Sequence, residues 1–179
     1  MGAVFWDKQM EIIERHVEDA VAKGATVHVG GRRNPELKGL YYEPTVMTGV
    51  NHDMQIMRDE TFGPVLCIQK VRDVEEALRL ANDSPYGLNG NVWTRDKEKG
   101  FAIAARIDTG SVSVNDMAMS YGVPAAPFGG RKESGIGQVN GETGVRGYCH
   151  AMPIPIDRLG GQERPSGYPY TQKKAEGMQ

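Results

Sequence analysis

The stretch VLCIQKVRDVEEALRLANDSPYGLNGNVWTRDKEKGFAIAARIDTGSVSVN, from Val65 to Asn115, decides the fold. It opens on the continuous apolar run Val65–Ile68, which predicts a strand covered on both faces. A helix is predicted after Asp73, because aspartate is a favoured N-cap and Glu76, three residues later, completes a capping-box-like pair. The apolar stripe of that helix consists of Val74, Ala77, Leu78 and Ala81. The stretch therefore begins as a buried strand followed by a helix.

The rest of the stretch repeats this alternation. A strand is predicted at Asn91–Thr94, a helix at Asp96–Ile107 and a further strand at Ser111–Asn115. Strands that alternate with helices of this length imply right-handed βαβ units and parallel pairing. The sequence therefore predicts an α/β fold with a mainly parallel sheet.

Upstream of the stretch, residues 8–23 predict a helix, because apolar residues recur on one helical face. Ile13, Val17, Ala20 and Val21 form that face, with Asp7 as its expected N-cap and Gly24 just past its end. The β-branched residues of Thr26–Val29 predict a short strand. A second extended segment, Tyr41–Val46, contains Pro44, which favours an edge position because proline cannot donate to a ladder.

Downstream of the stretch, residues 117–147 are rich in glycine, proline and alanine, which favours a long ordered loop. Apolar residues then alternate with proline from Met152 to Ile156. Prolines at i and i+2 remove donors from the same side of a strand, so this segment can pair along one side only. Residues 158–179 are polar and predict a surface-wrapping or disordered tail.

Composition places the 179 residues among ordinary soluble domains, since 39% are hydrophobic and 25% are charged. The net charge of −2 and the dispersed basic residues give no electrostatic case for nucleic acid or an anionic membrane. Apolar runs stay far below the ~18 residues of a membrane span, and the N-terminus does not resemble a secretory signal. Cys67 and Cys149 lie outside any CxxC spacing, so a cytoplasmic setting is expected.

Three segments resemble motifs of the aldehyde dehydrogenase family. Glu60 to Pro64 (ETFGP) is similar to its Glu-x-Phe-Gly-Pro pattern, and Asn82–Leu88 (NDSPYGL) to its turn before a strand. Pro127–Gly137 (PFGGRKESGIG) is similar to its Pro-Phe-Gly-Gly-x-Lys-x-Ser-Gly-x-Gly loop. The three occur in family order with βα units between them, and the resemblance covers residues 7–148.

The resemblance implies roles for four residues. Glu60 would accept hydrogen bonds from the ribose hydroxyls beside a nicotinamide, and Phe62 would pack against the nicotinamide ring. The alternative is that Glu60 caps a turn and Phe62 belongs to the core. Phe128 and Tyr121 resemble the aromatic lining of the family's substrate tunnel, with ordinary loop packing as the alternative.

The catalytic nucleophile of the family is not among the 179 residues. The Gly-Gln-x-Cys context of that nucleophile has no match, and Cys67 lies in an apolar run, where burial raises the pKa of a thiol. Cys149 adjoins His150, but neighbouring strand residues point to opposite faces, so the two do not form a catalytic pair.

Cofactor and metal groups are also missing from the sequence. No Gly-rich dinucleotide turn or Walker-type lysine is present, and the glycines of 129–137 are interpreted as loop geometry. No metal is expected, because the four histidines show no metal-ligand spacing and are assigned surface or packing roles.

The resemblance also departs from the family pattern at two places. Gln138-Val139 stands where the family usually has Arg-Glu, and 149–152 replace its Thr-rich strand entry. Three parts of the chain are nevertheless expected: the distal part of the catalytic domain (1–148), an oligomerisation strand (149–157) and a polar tail (158–179).

The expected function is that of the C-terminal portion of an NAD(P)-dependent aldehyde dehydrogenase, which converts an aldehyde to a carboxylic acid. The complete enzyme would use NAD or NADP, whereas this chain alone would be inactive and would bind the cofactor weakly or not at all. A homo-oligomer or a separate N-terminal half is the expected partner. Alternatives are a non-catalytic structural or interaction protein that keeps the dimer-forming surfaces, and an incomplete gene product.

Overall fold

The computed structural model describes residues 1–117, 119–158, 160, 168 and 171–176. The chain divides into two compact units, Met1–Gly147 and Tyr148–Gln179. Among the residues described, none of the helices combines the length and the apolar character needed to cross a membrane.

The first unit begins with one helix and a three-stranded sheet. Helix α1 spans Asp7–Ala22, and the strands are β1 (Thr26–Val29), β2 (Thr45–Thr48) and β3 (Val65–Ile68). The strand order is β1-β2-β3, with an antiparallel first pair and a parallel second pair. A 3-10 turn at Gln55–Met57 lies in the connection between β2 and β3.

The core of this unit lies where α1 packs against the sheet. The buried residues of α1 recur at helical spacing: they are Met10, Ile13, His16, Val17 and Ala20. Met47 of β2 is fully buried beneath them, and Val65 and Cys67 of β3 pack against the same cluster. The expected face of α1 is therefore confirmed except at Val21, which is 48% exposed.

Two predictions about the strands are wrong. Pro44 does not lie within an edge strand: it precedes β2, which is the central strand, and Thr45 donates its backbone N–H to the Pro64 carbonyl at 2.8 Å. The strand β3 is not covered on both faces, because Leu66 is 58% and Ile68 46% exposed. Side chains alternate along a strand, so Leu66 and Ile68 point to the face opposite the one on which Val65 and Cys67 pack against the core.

The second half of the unit contains the βαβ arrangement. Its elements are α2 (Val74–Asn82), β4 (Tyr86–Gly87), β5 (Asn89–Val92), α3 (Lys97–Ala104) and β6 (Ser111–Val114). The strands β5 and β6 pair in parallel across α3. The strand expected at 91–94 begins two residues earlier, at Asn89. The α/β fold is confirmed, with sheets of mixed direction.

Aspartate caps start both helices of this half. Asp73 accepts from the Glu76 backbone N–H at 2.8 Å, and Asp96 accepts from the Lys99 N–H at 3.0 Å. The reciprocal bond expected from Glu76 goes one residue further back, to the backbone N–H of Arg72 at 2.8 Å. Local sequence therefore fixes where these helices begin.

The region expected to be a long loop contains short elements. They are α4 (Met119–Gly122), β7 (Arg131–Lys132) and α5 (Gly141–Arg146). Strand β7 pairs antiparallel with β4. These elements lack an apolar stripe and are held by hydrogen bonds to other segments. The sequence therefore shows little hydrophobic periodicity there, and the elements were not predicted.

Among the described residues of the second unit, Gln172–Glu176 form a short helix, α6. Met152, Ile154 and Ile156 are each more than 70% exposed. The oligomerisation strand at 149–157 stays a prediction, because strand pairing of that kind requires a partner. Residues 159, 161–167, 169–170 and 177–179 of the predicted tail lie outside the described residues.

We expect Met47→Ala to lower the free energy of unfolding by about 2–5 kcal/mol, because it leaves a cavity in the core. Met117→Ala removes the same atoms from a residue that is 72% exposed and should change it by less than about 0.5 kcal/mol. Urea titrations followed by far-UV circular dichroism measure both values. Equal losses in the two variants would show that Met47 is not a core residue in solution.

Candidate functional site

One open cleft brings together the three motif segments, which are far apart in the sequence. Its volume is about 620 Å³. Glu60 comes from the first segment, Ser84, Tyr86, Gly87 and Leu88 from the second, and Glu133 and Ser134 from the third. The remaining lining residues come from α2, β5 and the loop before β6: Ala81, Asn89, Gly90, Asn91, Ile107 and Thr109. This cleft is the candidate functional site.

Hydrogen bonds hold the third segment on the second. The Lys132 ammonium donates to the carbonyls of Asn82 and Ser84 at 2.9 and 3.1 Å. The Gly87 N–H donates to Ser134 Oγ at 2.9 Å, which closes the pairing of β4 with β7. These contacts give the lysine and serine of the third segment a structural function at the edge of the cleft.

The same junction is tied to the loop before β6. The Asn82 side chain donates to the Arg106 carbonyl at 2.9 Å and accepts from the Asp108 N–H at 2.8 Å. The Asp108 carboxylate lies 3.1 Å from the Arg131 guanidinium and 3.7 Å from the Lys132 ammonium. One asparagine and one aspartate therefore connect α2, β7 and the βαβ unit.

The glycines of the third segment permit close backbone contact. A Cβ on Gly110 would lie 1.6 Å from the carbonyl oxygen of Gly129, and one on Gly129 would lie 2.1 Å from that of Gly137. A Cβ on Gly130 would lie 2.2 Å from the Ser134 carbonyl oxygen. Each obstacle is backbone, which cannot swing away, and this agrees with the interpretation of these glycines as loop geometry.

Glu60 is exposed and lies on the wall of the cleft. Partial desolvation raises the pKa of the Tyr86 hydroxyl, and the negative charge of Glu60 raises it further. The negative charge of Glu60 therefore acts on the Tyr86 hydroxyl and favours its protonated form. A carboxylate in this position can accept hydrogen bonds from a polyhydroxylated ligand in the cleft.

Phe62 faces a different cleft from Glu60. It is 76% exposed and lines a second opening of about 610 Å³ together with residues 1–5, Gln9, Gly63 and Pro64. The alternative that Phe62 is a core residue is therefore wrong. Its φ of 42° is unusual for an aromatic residue, which indicates that neighbouring contacts impose this backbone conformation. The predicted support of a nicotinamide ring by Phe62 stays a prediction.

Tyr121 and Phe128 contact each other, as two residues of one lining would. Their ring centroids lie 5.2 Å apart at an interplanar angle of 79°, an edge-to-face arrangement. Phe128 is also held by backbone hydrogen bonds in both directions with Val139, at 2.7 and 2.8 Å. This geometry suits both tunnel lining and loop packing, so the tunnel assignment stays a prediction.

Cys67, the cysteine of the first unit, is not among the residues that line the cleft. Burial raises the pKa of the half-buried Cys67 thiol, which disfavours the thiolate, and Cys149 is exposed in the second unit. Within the described residues, no three His, Cys, Asp or Glu side chains are grouped so as to hold a metal ion.

The sequence did not predict that a residue of α1, His16, contacts the first motif segment. His16 is 1% exposed, and its Nδ1 lies 3.0 Å from the hydroxyl oxygen of Thr61, beside Glu60. Its packing role was expected, but its contact with the first motif segment was not. The available signal was its position on the apolar face of α1, where a polar residue needs a hydrogen-bonding partner.

Comparison with known proteins identifies the family. The model described as Aldehyde dehydrogenase family matches residues 1–154. A protein of Mycolicibacterium smegmatis with the provisional name succinate-semialdehyde dehydrogenase (NADP(+)) is 43% identical over 168 residues, which are 93% of this chain and 32% of that protein. An aldehyde dehydrogenase of Paenarthrobacter nicotinovorans is 42% identical over 153 residues, which are 86% of this chain and 33% of that protein.

Comparison with solved structures leads to the same family. The aldehyde dehydrogenase of Mycobacterium tuberculosis complexed with NAD+ superposes with a TM-score of 0.77 at 40% identity, covering 82% of this chain and 30% of that one. Betaine aldehyde dehydrogenase of Staphylococcus aureus in complex with NAD+ gives 0.77 at 40% identity, covering 83% and 30%. The chain thus spans about a third of the length of the curated relatives it matches. Because the family model matches most of its residues and the fold matches as well, the chain belongs to the aldehyde dehydrogenase family.

Proposed function

We propose that this chain supplies the nicotinamide-ribose side of the active site of an NAD(P)-dependent aldehyde dehydrogenase. The observation that carries the proposal is the meeting of three distant motif segments at one cleft with the Glu60 carboxylate on its wall. Two vicinal ribose hydroxyls can both donate to one carboxylate, which orients the attached ring for hydride transfer.

Aromatic residues complete the proposed arrangement. Phe62 would support the nicotinamide ring after a change in its present orientation, since it now lines the neighbouring cleft. The Tyr121–Phe128 pair would form part of the tunnel through which the aldehyde enters. The names of the relatives include an anionic aldehyde, succinate semialdehyde, and a cationic one, betaine aldehyde. The proposed substrate class is therefore defined by the aldehyde group alone.

The thiolate that attacks the aldehyde and the groups that hold the cofactor phosphates would come from another stretch of polypeptide. Cys67 does not line the cleft, and burial on β3 raises the pKa of its thiol, which disfavours the nucleophilic thiolate. Gly129 and Gly130 of the third motif segment are packed against backbone carbonyl groups, which does not favour a phosphate cradle at these two glycines. We therefore propose that these 179 residues are inactive alone and become part of an active site when joined to those groups.

The purified 179-residue chain is expected to reduce neither NAD nor NADP in the presence of an aldehyde. The physical reason is that Cys67, the cysteine in the unit that contains the cleft, does not line the cleft, and burial raises the pKa of its thiol. Absorbance at the wavelength of the reduced cofactor measures this directly, with the Cys67→Ala/Cys149→Ala double variant as the matched control. Turnover that scales with protein concentration and survives in the double variant would overturn this account of the site.

Cofactor binding by the chain alone is expected to be weaker than ~1 mM, which corresponds to ~4 kcal/mol. One carboxylate and one aromatic ring cannot offset the translational and rotational freedom lost on binding. Isothermal titration calorimetry with NAD and NADP tests this, with Glu60→Gln as the comparison. A micromolar constant for the wild type would reveal a phosphate site that the cleft geometry does not show.

A second copy of the chain is the proposed partner when no other polypeptide is present. The exposed side chains of β3, Leu66 and Ile68, lie on an open sheet edge, and Met152–Ile156 is exposed in the second unit. Uncovered apolar strands tend to find another strand or layer. This observation also favours the alternative function, a non-catalytic interaction protein.

We therefore expect a dimer or larger assembly at micromolar concentration, measured by sedimentation velocity. Leu66→Lys/Ile68→Lys should shift the distribution toward monomer, because charge on an edge strand opposes pairing. Ile136→Lys, a substitution at a fully exposed loop residue, is the matched control. A single monomeric wild-type species would show that the chain closes its own core and behaves as an independent domain.

A further inference from the structure

Three residues of α1 contact the segment that carries Glu60. Gln9, Ile13 and His16 follow the i, i+4, i+7 spacing that places side chains on one helical face. The Gln9 amide donates to the Thr61 carbonyl at 2.5 Å, and His16 Nδ1 lies 3.0 Å from the Thr61 hydroxyl oxygen. Both bonds converge on the residue next to Glu60.

Ile13 lies between these two polar contacts and sets how close the segment can come. A Cβ on Gly63 would lie 2.5 Å from Ile13 Cγ1, so the backbone at this position rests directly on α1. The glycine of the first motif segment therefore has a packing function, because any larger residue would push the segment away from the helix.

The segment between these contacts is held in a conformation it would not adopt unaided. Phe62 has a φ of 42°, and such left-handed conformations persist only where surrounding contacts enforce them. Thr61 before it is fixed at two atoms, and Gly63 after it rests on Ile13. Contacts on both sides of Phe62 thus supply the constraint.

His16 is suited to this role because its side chain is buried, which favours the neutral imidazole. Burial lowers its pKa, Arg15 lowers it further, and Asp59 and Asp19 act in the opposite direction. Its Nε2 lies 3.8 Å from Asp59, the residue before Glu60, whose side chain is largely exposed. The imidazole therefore lies close to Asp59 and Thr61, the two residues that flank Glu60.

We propose that Gln9 and His16 are positioning residues: together they hold Thr61 so that Glu60 is presented to the cleft. This inference rests on the proposed function only for the identity of the ligand that Glu60 contacts. The hydrogen bonds themselves position the carboxylate whatever occupies the cleft.

Digestion of the full chain with a glutamate-specific endoprotease tests the proposal, since we expect the bond after Glu60 to be cleaved when Thr61 leaves its contacts with α1. Loss of one of the two bonds in Gln9→Met or His16→Leu should speed cleavage there about five- to tenfold. Cleavage after Glu36, in an exposed loop of the same unit, serves as the internal standard and should not change. Mass spectrometry of the fragments measures both cleavage rates in one digest. The comparison of the two rates applies whether the chain is a monomer or an assembly.

Two further variants separate positioning from general packing. His16→Asn retains a polar atom near Nδ1 and should restore the wild-type rate. His28→Leu removes a similar histidine–threonine bond, His28 to Thr48 at 2.7 Å, from an exposed face of the sheet and should leave the Glu60 rate unchanged.

The proposal is overturned if Glu60 cleavage in both Gln9→Met and His16→Leu equals the wild type, or if it rises only in step with Glu36. If His16→Asn is cleaved after Glu60 as fast as His16→Leu, the hydrogen bond of His16 does not position the segment. No cofactor or aldehyde enters the digest, so this outcome is independent of calorimetry on Glu60→Gln. Either proposal can therefore fail while the other stands.

Discussion

The packing of α1 against the three-stranded sheet is the constraint on which the site depends. Burial of the apolar stripe of α1 over Met47 fixes the helix, and the fixed helix then supplies Gln9, Ile13 and His16 to the segment that follows β2. The driving force is burial of apolar side chains, which has no directional preference. Direction comes from the two polar residues on the same face, whose hydrogen bonds select one position for Thr61.

The other side of the cleft is held by polar contacts. Lys132 donates to two backbone carbonyls of the second motif segment, and Asn82 bridges to the loop before β6. The Lys132 bonds join residues 50 and 48 positions apart in the sequence, and the Asn82 bonds join residues 24 and 26 positions apart. Most of these bonds are exposed to solvent. A hydrophobic layer thus supports the first motif segment, whereas a network of backbone-directed bonds supports the second and third.

Local signals in the sequence predicted the helix starts at Asp73 and Asp96 and the bounds of β1 and β3, because capping and β-branched runs act over a few residues. The order of the strands in the sheet was harder to predict from the sequence. Pro44 suggested an edge, but a proline just before a strand leaves that strand free to be central. In the site, the resemblance to the family motif singled out Glu60, which the structure places on the wall of the cleft, while its contact with a ribose stays a prediction. The resemblance could not show that Phe62 turns to another opening, since that orientation depends on contacts from α1, nor that His16 lies behind the segment.

The backbone contacts among Gly110, Gly129, Gly130 and Gly137 bear on how sequences of this kind are interpreted. Any side chain at the first three of these positions would strike a carbonyl, so folding alone excludes substitution there, whether or not the chain performs chemistry. A copy released from selection for catalysis but still selected to fold would keep these three glycines unchanged. The pattern is therefore a record of architecture, and its survival in a genome carries no information about whether an aldehyde is oxidised.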